Sequence, residues 1–165
     1  VDSMVSNVDF APTWLDYAGA PIPNYMQGNS MRPILEEKEP ENWQKTAYHR
    51  YWMNQDHNHN AYAHYGIRDH RYKLVYWYNE ACDTPGSTAP DFEDKDWELF
   101  DTQEDPLELF NCFYDPNKRE VVERMLQLLD EKQATIGDVP EHYTPDVLQL
   151  LAARNTEEAK ALSRA

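Results

Sequence analysis

The fold is decided by residues 63–78, which read AHYGIRDHRYKLVYWY. Two segments of this stretch, Ala63 to Arg68 and Tyr72 to Tyr78, are rich in the aromatic and β-branched residues that favour strands. The polar residues between them, Asp69 to Arg71, are suited to a turn. We therefore predict a β-hairpin, which is antiparallel because its connection is so short.

Two more strands are predicted on either side of the hairpin. Ala47 to Met53 is aromatic and strand-like, and Trp97 to Asp101 is a short apolar segment. Polar loops separate these strands from the hairpin, at Asp56 to Asn60 and at Cys82 to Asp96. The short connections favour antiparallel pairing, so the prediction is a small four-stranded antiparallel sheet.

A long amphipathic helix is predicted after the last strand. Pro116 is suited to its first turn, and Gly137 is suited to its end. Its apolar stripe at helical spacing consists of Val121, Val122, Met125, Leu126, Leu128 and Leu129. Such a stripe covers one face of a sheet, which makes the fold class α+β.

A shorter helix is predicted near the beginning of the chain. Asp9 is placed to cap it, Pro12 lies in its first turn, and Gly19 ends it. Its apolar face consists of Phe10, Trp14, Leu15 and Ala18. Nothing else in the sequence is an obvious partner for this face, which suggests that the helix remains from a larger α/β domain upstream.

The chain thus divides into three parts. Residues 1–45 are expected to be the end of a catalytic α/β domain and a Pro-rich, irregular connector. Residues 46–138 form the C-terminal subdomain. Residues 139–165 form a helical tail in two pieces, which begin at Thr144 and at Thr156.

Charge and hydropathy exclude two classes of partner. The chain has 165 residues with 15 Lys and Arg against 30 Asp and Glu, a net charge of -15. Such a surface repels nucleic acid, and it also repels a polysulfated ligand unless a local basic pocket overrides the overall field. No apolar run is long enough to span a membrane. Residues 1–10 do not resemble a signal peptide. We expect a soluble protein whose compartment the sequence leaves open, with the periplasm and the secreted fraction as candidates.

The two cysteines, Cys82 and Cys112, carry little information. They allow one disulfide bridge at most, and inert thiols are the simpler interpretation.

Four stretches, taken in order, resemble the type I sulfatases, the formylglycine-dependent members of the alkaline-phosphatase-like superfamily. They are residues 5–19, followed by Gly28 to Ser30 and Pro33 to Leu35; His64 to Arg68; Arg71 to Val75; and Glu98 to Asp101, followed by Asp105 to Glu108 and Asn111. Each stretch alone is weak, but their order and spacing are specific. The resemblance covers residues 5–138.

The resemblance implies a sulfate-ester hydrolase whose chemistry lies outside this chain. The family converts a Cys or Ser within Cys/Ser-x-Pro/Ala-x-Arg to formylglycine, the nucleophile, and holds Ca²⁺ with carboxylates. Neither Cys82 nor Cys112 is followed by this pattern. The chain is therefore expected to be a C-terminal fragment, inactive alone, without a catalytic residue, metal or cofactor of its own. Its partners are the missing N-terminal catalytic domain and a sulfated carbohydrate.

His64 is the first candidate for substrate contact. The resemblance implies that a His in this strand reaches the sugar at the rim of the cleft, where an imidazole is able to bind a hydroxyl or the scissile oxygen. The alternative is a His that packs in the sheet and bonds to the backbone.

Arg50 and His49 are further candidates, because a cation in the aromatic strand from Tyr48 to Trp52 suits a sulfate or carboxylate. The alternative for Arg50 is pairing with one of the many acids of the chain.

His57 and His59 are candidates at the cleft rim. They lie two residues apart without a third ligand at a diagnostic distance, so a specificity loop is favoured over a metal site.

Other motif residues are expected to serve the fold. Alternation puts Tyr72 on one face of the sheet and Arg71 and Lys73 on the other. Glu98 and Asp101 are expected to tie turns, with an acid/base pair as the alternative.

Two further functions remain open. One is a non-catalytic module that binds glycans or stabilises a partner, and the other is part of a related phosphonate or phosphodiester hydrolase.

Overall fold

The predicted sheet and its covering helix are present in the computed structural model, which describes residues 2–82, 84–88 and 95–138. A 3-10 turn at Asn7–Asp9 leads into the first helix, and a second 3-10 turn at Pro116–Lys118 leads into the last. The helices are α1 (Phe10–Tyr17), α2 (Arg32–Leu35) and α3 (Arg119–Ile136), and the strands are β1 (Ala47–Tyr51), β2 (His64–Arg68), β3 (Tyr72–Trp77) and β4 (Asp96–Asp101).

The four strands form one sheet in the order β1-β2-β3-β4, with every neighbouring pair antiparallel. The register aligns Tyr51 with His64 and His64 with Trp77, so these residues lie side by side across three strands. The sheet is therefore a simple meander, as its short connections predict.

One face of the sheet packs against α3 and forms the core. The alternating side chains that point to it include Tyr65, Ile67, Leu74, Tyr76, Trp97 and Leu99, and they meet Val122, Met125, Leu126 and Leu129 of α3. Gly137 ends α3 in the left-handed conformation, with φ of 72°. The α+β class is thus confirmed. We call the face against α3 the core face, and the opposite face the outer face.

Arg71 and Asp101 tie the β2–β3 turn to the end of β4. Arg71 donates from Nε and Nη2 to the two oxygens of Asp101, at 2.8 and 2.7 Å, and Lys118 Nζ lies 2.8 Å from the same carboxylate. Asp101 is 4% exposed, and the guanidinium holds the pKa of its carboxyl well below the usual range. The expectation that Arg71 and Asp101 serve the fold is confirmed. Glu98 does not tie a turn, because it accepts a hydrogen bond from Trp77 Nε1 on the adjacent strand, at 2.6 Å.

Asp9 does not cap α1 as predicted. Its side chain makes no capping bond there and is fully buried. Instead, its carboxylate accepts hydrogen bonds from the backbone N–H groups of Ser6 and Asn29, at 2.8 and 2.9 Å, and from Gln44 Nε2, at 2.8 Å. A single carboxylate thus holds three separate parts of the N-terminal segment together.

The aromatic face of α1 is largely exposed, although the guanidinium of Arg32 lies over the ring of Tyr17, with its carbon 5.1 Å from the ring centroid. The exposed fractions of Phe10, Trp14 and Tyr17 are 50%, 68% and 49%. Large aromatic side chains exposed together mark a surface that another part of a protein covers.

Other expectations have mixed outcomes. The connector over residues 20–45 is irregular except for α2. Both cysteines are free thiols. The helical tail that was predicted from Thr144 lies outside the described residues. Among residues 2–82, 84–88 and 95–138, no helix has the length and apolar character needed to cross a membrane.

Candidate functional site

The outer face of the sheet carries most of the candidate residues. Strand alternation places Tyr51 of β1, His64 of β2 and Trp77 of β3 on this face. The ring of His64 lies between the other two, with its centroid 4.4 Å from Trp77 and 5.6 Å from Tyr51. We call these three side chains the His64 row.

His64 is oriented by the backbone. Its Nδ1 lies 2.7 Å from the carbonyl oxygen of Tyr62. Because a carbonyl only accepts hydrogen bonds, we assign the ring hydrogen to Nδ1, which leaves the lone pair on Nε2. Burial lowers the pKa of His64, so the ring is neutral at pH 7. His64 is thus half-buried, held by neighbours on both sides, and presents one nitrogen as an acceptor.

His49 supports this arrangement from β1. Its ring lies over Gly66, and a Cβ atom at position 66 would come within 2.7 Å of His49 Cε1. The ring centroid of His49 is 5.5 Å from that of His64. Burial lowers the pKa of His49 to about 4, with the neighbouring His64 and Lys73 acting in the same direction. Two neutral imidazoles therefore lie side by side on the outer face.

Asp56 organises the loop that carries His57 and His59. Its carboxylate accepts hydrogen bonds from the backbone N–H groups of Asn58 and His59, at 2.7 and 3.1 Å, and from the hydroxyl of Tyr51. His59 Nδ1 lies 3.0 Å from the same carboxylate, while the side chain of His59 is 70% exposed. The loop is thereby joined to the His64 row through Tyr51.

The two loop histidines have different surroundings. His59 stands edge-on to Tyr51, with ring centroids 6.2 Å apart, whereas His57 is simply exposed. In the part of the chain that the structure describes, no group of three His, Cys, Asp or Glu residues is arranged to hold a metal ion. Sequence reasoning missed Asp56, although an Asp just before His-Asn-His is a signal for a local Asx turn.

Arg50 lies apart from the His64 row, because alternation turns it to the core face. Its side chain is 5% exposed, and its Nη1 lies 2.5 Å from Asp138 Oδ1. The guanidinium carbon is 3.5 Å from the centroid of the Trp52 ring. Arg50 therefore has an acid partner, and it does not form one cationic site together with His49.

Most of the sequence matches a known family. The family described as N-sulphoglucosamine sulphohydrolase, C-terminal, matches residues 1–135. The chain belongs to this family. The resemblance to sulfatases is thereby confirmed.

Relatives of this sulphohydrolase C-terminal domain include sulfatases of known structure and name. The chain is 37% identical over 134 residues to an N-acetylglucosamine-6-O-sulfatase of Bacteroides thetaiotaomicron, an alignment that covers 80% of the chain and 22% of the relative. It is similar, with a TM-score of 0.70 and 35% identity, to a structure in complex with its substrate D-glucosamine-2-N,6-O-disulfate, over 83% of the chain and 26% of that structure. A phosphonate monoester hydrolase of Agrobacterium radiobacter shares the fold, with a TM-score of 0.62 and 24% identity over 82% of the chain and 26% of that structure.

These alignments also show how much of each relative's length the chain covers. The chain spans about a quarter of their length or less. The residues of this sulphohydrolase C-terminal domain do not fit the formylglycine of sulfatases, since neither Cys82 nor Cys112 lies in the required pattern. They do not fit Ca²⁺ either, because among the described residues no group of three His, Cys, Asp or Glu side chains is arranged to hold a metal ion. No reaction step is therefore assigned to either group within this chain.

Proposed function

We propose that this chain is the C-terminal part of a sulfuric ester hydrolase that acts on a sulfated amino sugar. The family membership supports the reaction class. The relative named for N-acetylglucosamine-6-O-sulfate hydrolysis and the structure with bound glucosamine disulfate support the substrate class. The chain contributes structure and one wall of the substrate cleft, and it is inactive alone.

The observation that carries the proposal is the geometry of His64. Its Nδ1 is occupied by a backbone carbonyl, so Nε2 is the nitrogen that meets the substrate. A neutral imidazole accepts a hydrogen bond from a sugar hydroxyl, and the adjacent Trp77 ring offers an apolar surface to a pyranose. His49 and the loop around Asp56 position this row, and His57 and His59 lie at its rim.

The remaining machinery belongs to the rest of the longer protein. There, a formylglycine would supply the oxygen nucleophile and Ca²⁺ would orient the sulfate. We assign residues 1–45 to the end of that catalytic domain, residues 46–138 to the C-terminal subdomain and residues 139–165 to a tail. The exposed aromatic side chains of α1 are the contact with the catalytic domain. We place the protein in the periplasm or the secreted fraction, where a sulfated polysaccharide is encountered.

The test uses the complete enzyme and two substrates. His64→Phe keeps the ring packing between Tyr51 and Trp77 and removes both nitrogens. We expect kcat/KM for glucosamine-6-O-sulfate to fall about 10- to 100-fold, because the transition state loses the free energy of one buried hydrogen bond. The kcat/KM for a small aryl sulfate should be nearly unchanged. His70→Phe, at an exposed position in the β2–β3 turn, is the matched control. Equal losses on both substrates would assign His64 a purely structural role.

The shared fold with phosphonate monoester hydrolases favours one alternative function. Activity of the complete enzyme on an aryl phosphodiester rather than on an aryl sulfate would support that alternative. Glycan binding without hydrolysis of any of these substrates would support a non-catalytic module.

A further inference from the structure

A concave surface lies along the free edge of β1, apart from the His64 row. The sheet order leaves this edge without a neighbouring strand among the described residues. A pocket of about 650 Å³ runs between β1, the N-terminal segment and the end of α3. Its lining includes Gln44, Tyr48, Arg50, Trp52, Lys132 and Asp138. We call it the β1-edge pocket.

The charge of the β1-edge pocket is opposite to that of the chain. The chain has a net charge of -15, yet the pocket is lined by two bases, Arg50 and Lys132, and one acid, Asp138. Arg50 and Asp138 neutralise each other as an ion pair. Among the described residues no carboxylate lies within ion-pair distance of Lys132. The lining of the pocket therefore carries one uncompensated positive charge. A local positive field is what an anionic ligand needs to approach so acidic a protein.

Arg50 and Trp52 add an unpaired hydrogen-bond donor and an exposed aromatic ring to the pocket. The side chain of Arg50 is 5% exposed, and its buried Nε has no hydrogen-bond partner among the described residues. A buried donor without a partner is costly unless a ligand or water satisfies it. Trp52 stacks on the guanidinium and is 43% exposed. The exposed Trp52 ring offers an apolar surface to a pyranose, and Lys132 offers a positive charge to a negative group on that sugar.

One residue, His49, connects the β1-edge pocket to the His64 row. His49 lines the β1-edge pocket, and its ring centroid is 5.5 Å from that of His64. From these observations we infer that the β1-edge pocket binds an anionic sugar residue of the same polysaccharide, adjacent to the residue that meets His64. This inference rests on the proposed function and extends it from a single sugar to an oligosaccharide with at least two recognised residues.

The experiment compares a sulfated monosaccharide with a sulfated glucosamine–uronate tetrasaccharide, using the complete enzyme. For Lys132→Gln we expect KM for the tetrasaccharide to rise about 3- to 10-fold, the loss of one partly exposed charge-assisted contact. The kcat values and the KM for the monosaccharide stay unchanged, because that substrate does not reach the pocket. Lys132→Arg keeps the charge and retains the KM of the wild type. Lys38→Gln, at an exposed lysine that pairs with Glu36, is the matched control.

The outcomes separate this inference from the proposed function. An unchanged KM for the tetrasaccharide in Lys132→Gln, or the same change for both substrates, would overturn the role of the pocket alone. If the wild-type enzyme hydrolyses neither substrate, the proposed function fails as well. Tetrasaccharides with reduced carboxylates or with the neighbouring sulfate removed show which anionic group the pocket holds, since only loss of the recognised group raises KM.

Discussion

Gly66 is the residue at which fold and candidate site depend on the same few atoms. It lies in β2, opposite Val75, and its missing side chain leaves the space that the His49 ring occupies. A Cβ atom here would come within 2.7 Å of His49 Cε1 and still closer to the carbonyl oxygen of Leu74. Ordinary carbon contacts are about 3.5–4.0 Å, so Gly66→Ala forces both neighbours to move.

The two clashes have different costs. The His49 side chain can rotate away, which costs about 1 kcal/mol for a strained rotamer. The Leu74 carbonyl belongs to β3, which is paired on both sides, so it cannot move without weakening the sheet. Together we expect Gly66→Ala to lower the free energy of unfolding by about 3 kcal/mol, at the upper end of overpacking costs.

Urea unfolding of the complete protein measures this cost. Removing the His49 ring in the double variant Gly66→Ala/His49→Ala relieves one clash but not the other, so about 1 kcal/mol of coupling is expected. Gly137→Ala is the control without a steric clash. Position 137 has φ of 72°, so alanine is strained there by about 1 kcal/mol, but no atom lies within 4 Å of the new Cβ, and the cost should stay below that of Gly66→Ala. A cost of Gly66→Ala below about 0.5 kcal/mol, the range of an ordinary surface substitution, would refute this account of the close approach.

Two predictions concern ionisable groups. The pKa of His49 is about 4 in the folded protein and 6.5 when unperturbed. Between pH 6.5 and pH 4, His49 is therefore protonated in the unfolded state but still neutral in the folded state. The free energy of unfolding therefore falls as the pH drops from about 6.5 towards 4. In His49→Gln this loss should be smaller by about 1–2 kcal/mol, a figure that allows for solvent screening. The measurement compares urea unfolding midpoints of the two proteins at pH 7.5 and pH 4.5. Asp101→Asn removes the carboxylate that Arg71 and Lys118 share and should lower the free energy of unfolding by about 2 kcal/mol. Glu104→Gln, which changes a 65% exposed partner of the same two cations, should cost less than about 0.5 kcal/mol in the same assay, and equal costs would contradict the role of burial.

Local patterns explain why the sheet and α3 could be predicted from sequence. Strand alternation and helical spacing depend on neighbouring residues, and the end of α3 at Gly137 follows from the conformation that glycine tolerates. Asp9 was misjudged because its partners lie as far away as residue 44, which no local pattern reveals. Arg50 and His49 were considered together because they are adjacent, although the same alternation places adjacent residues on opposite faces of a sheet.

The register of β1 connects the two candidate sites. A slip of one residue would exchange its two faces, placing Arg50 beside His64 and turning His49 towards α3. Two contacts oppose this slip. On the core face, the hydroxyl of Tyr48 and the guanidinium of Arg50 both bind Asp138, just beyond the end of α3. On the outer face, the ring of His49 fits only over the glycine at position 66. Since these contacts lie on opposite faces of one edge strand, disturbing either of them misplaces side chains on both faces. Asp138 and Gly66 therefore position the His64 row and the β1-edge pocket without belonging to the His64 row themselves.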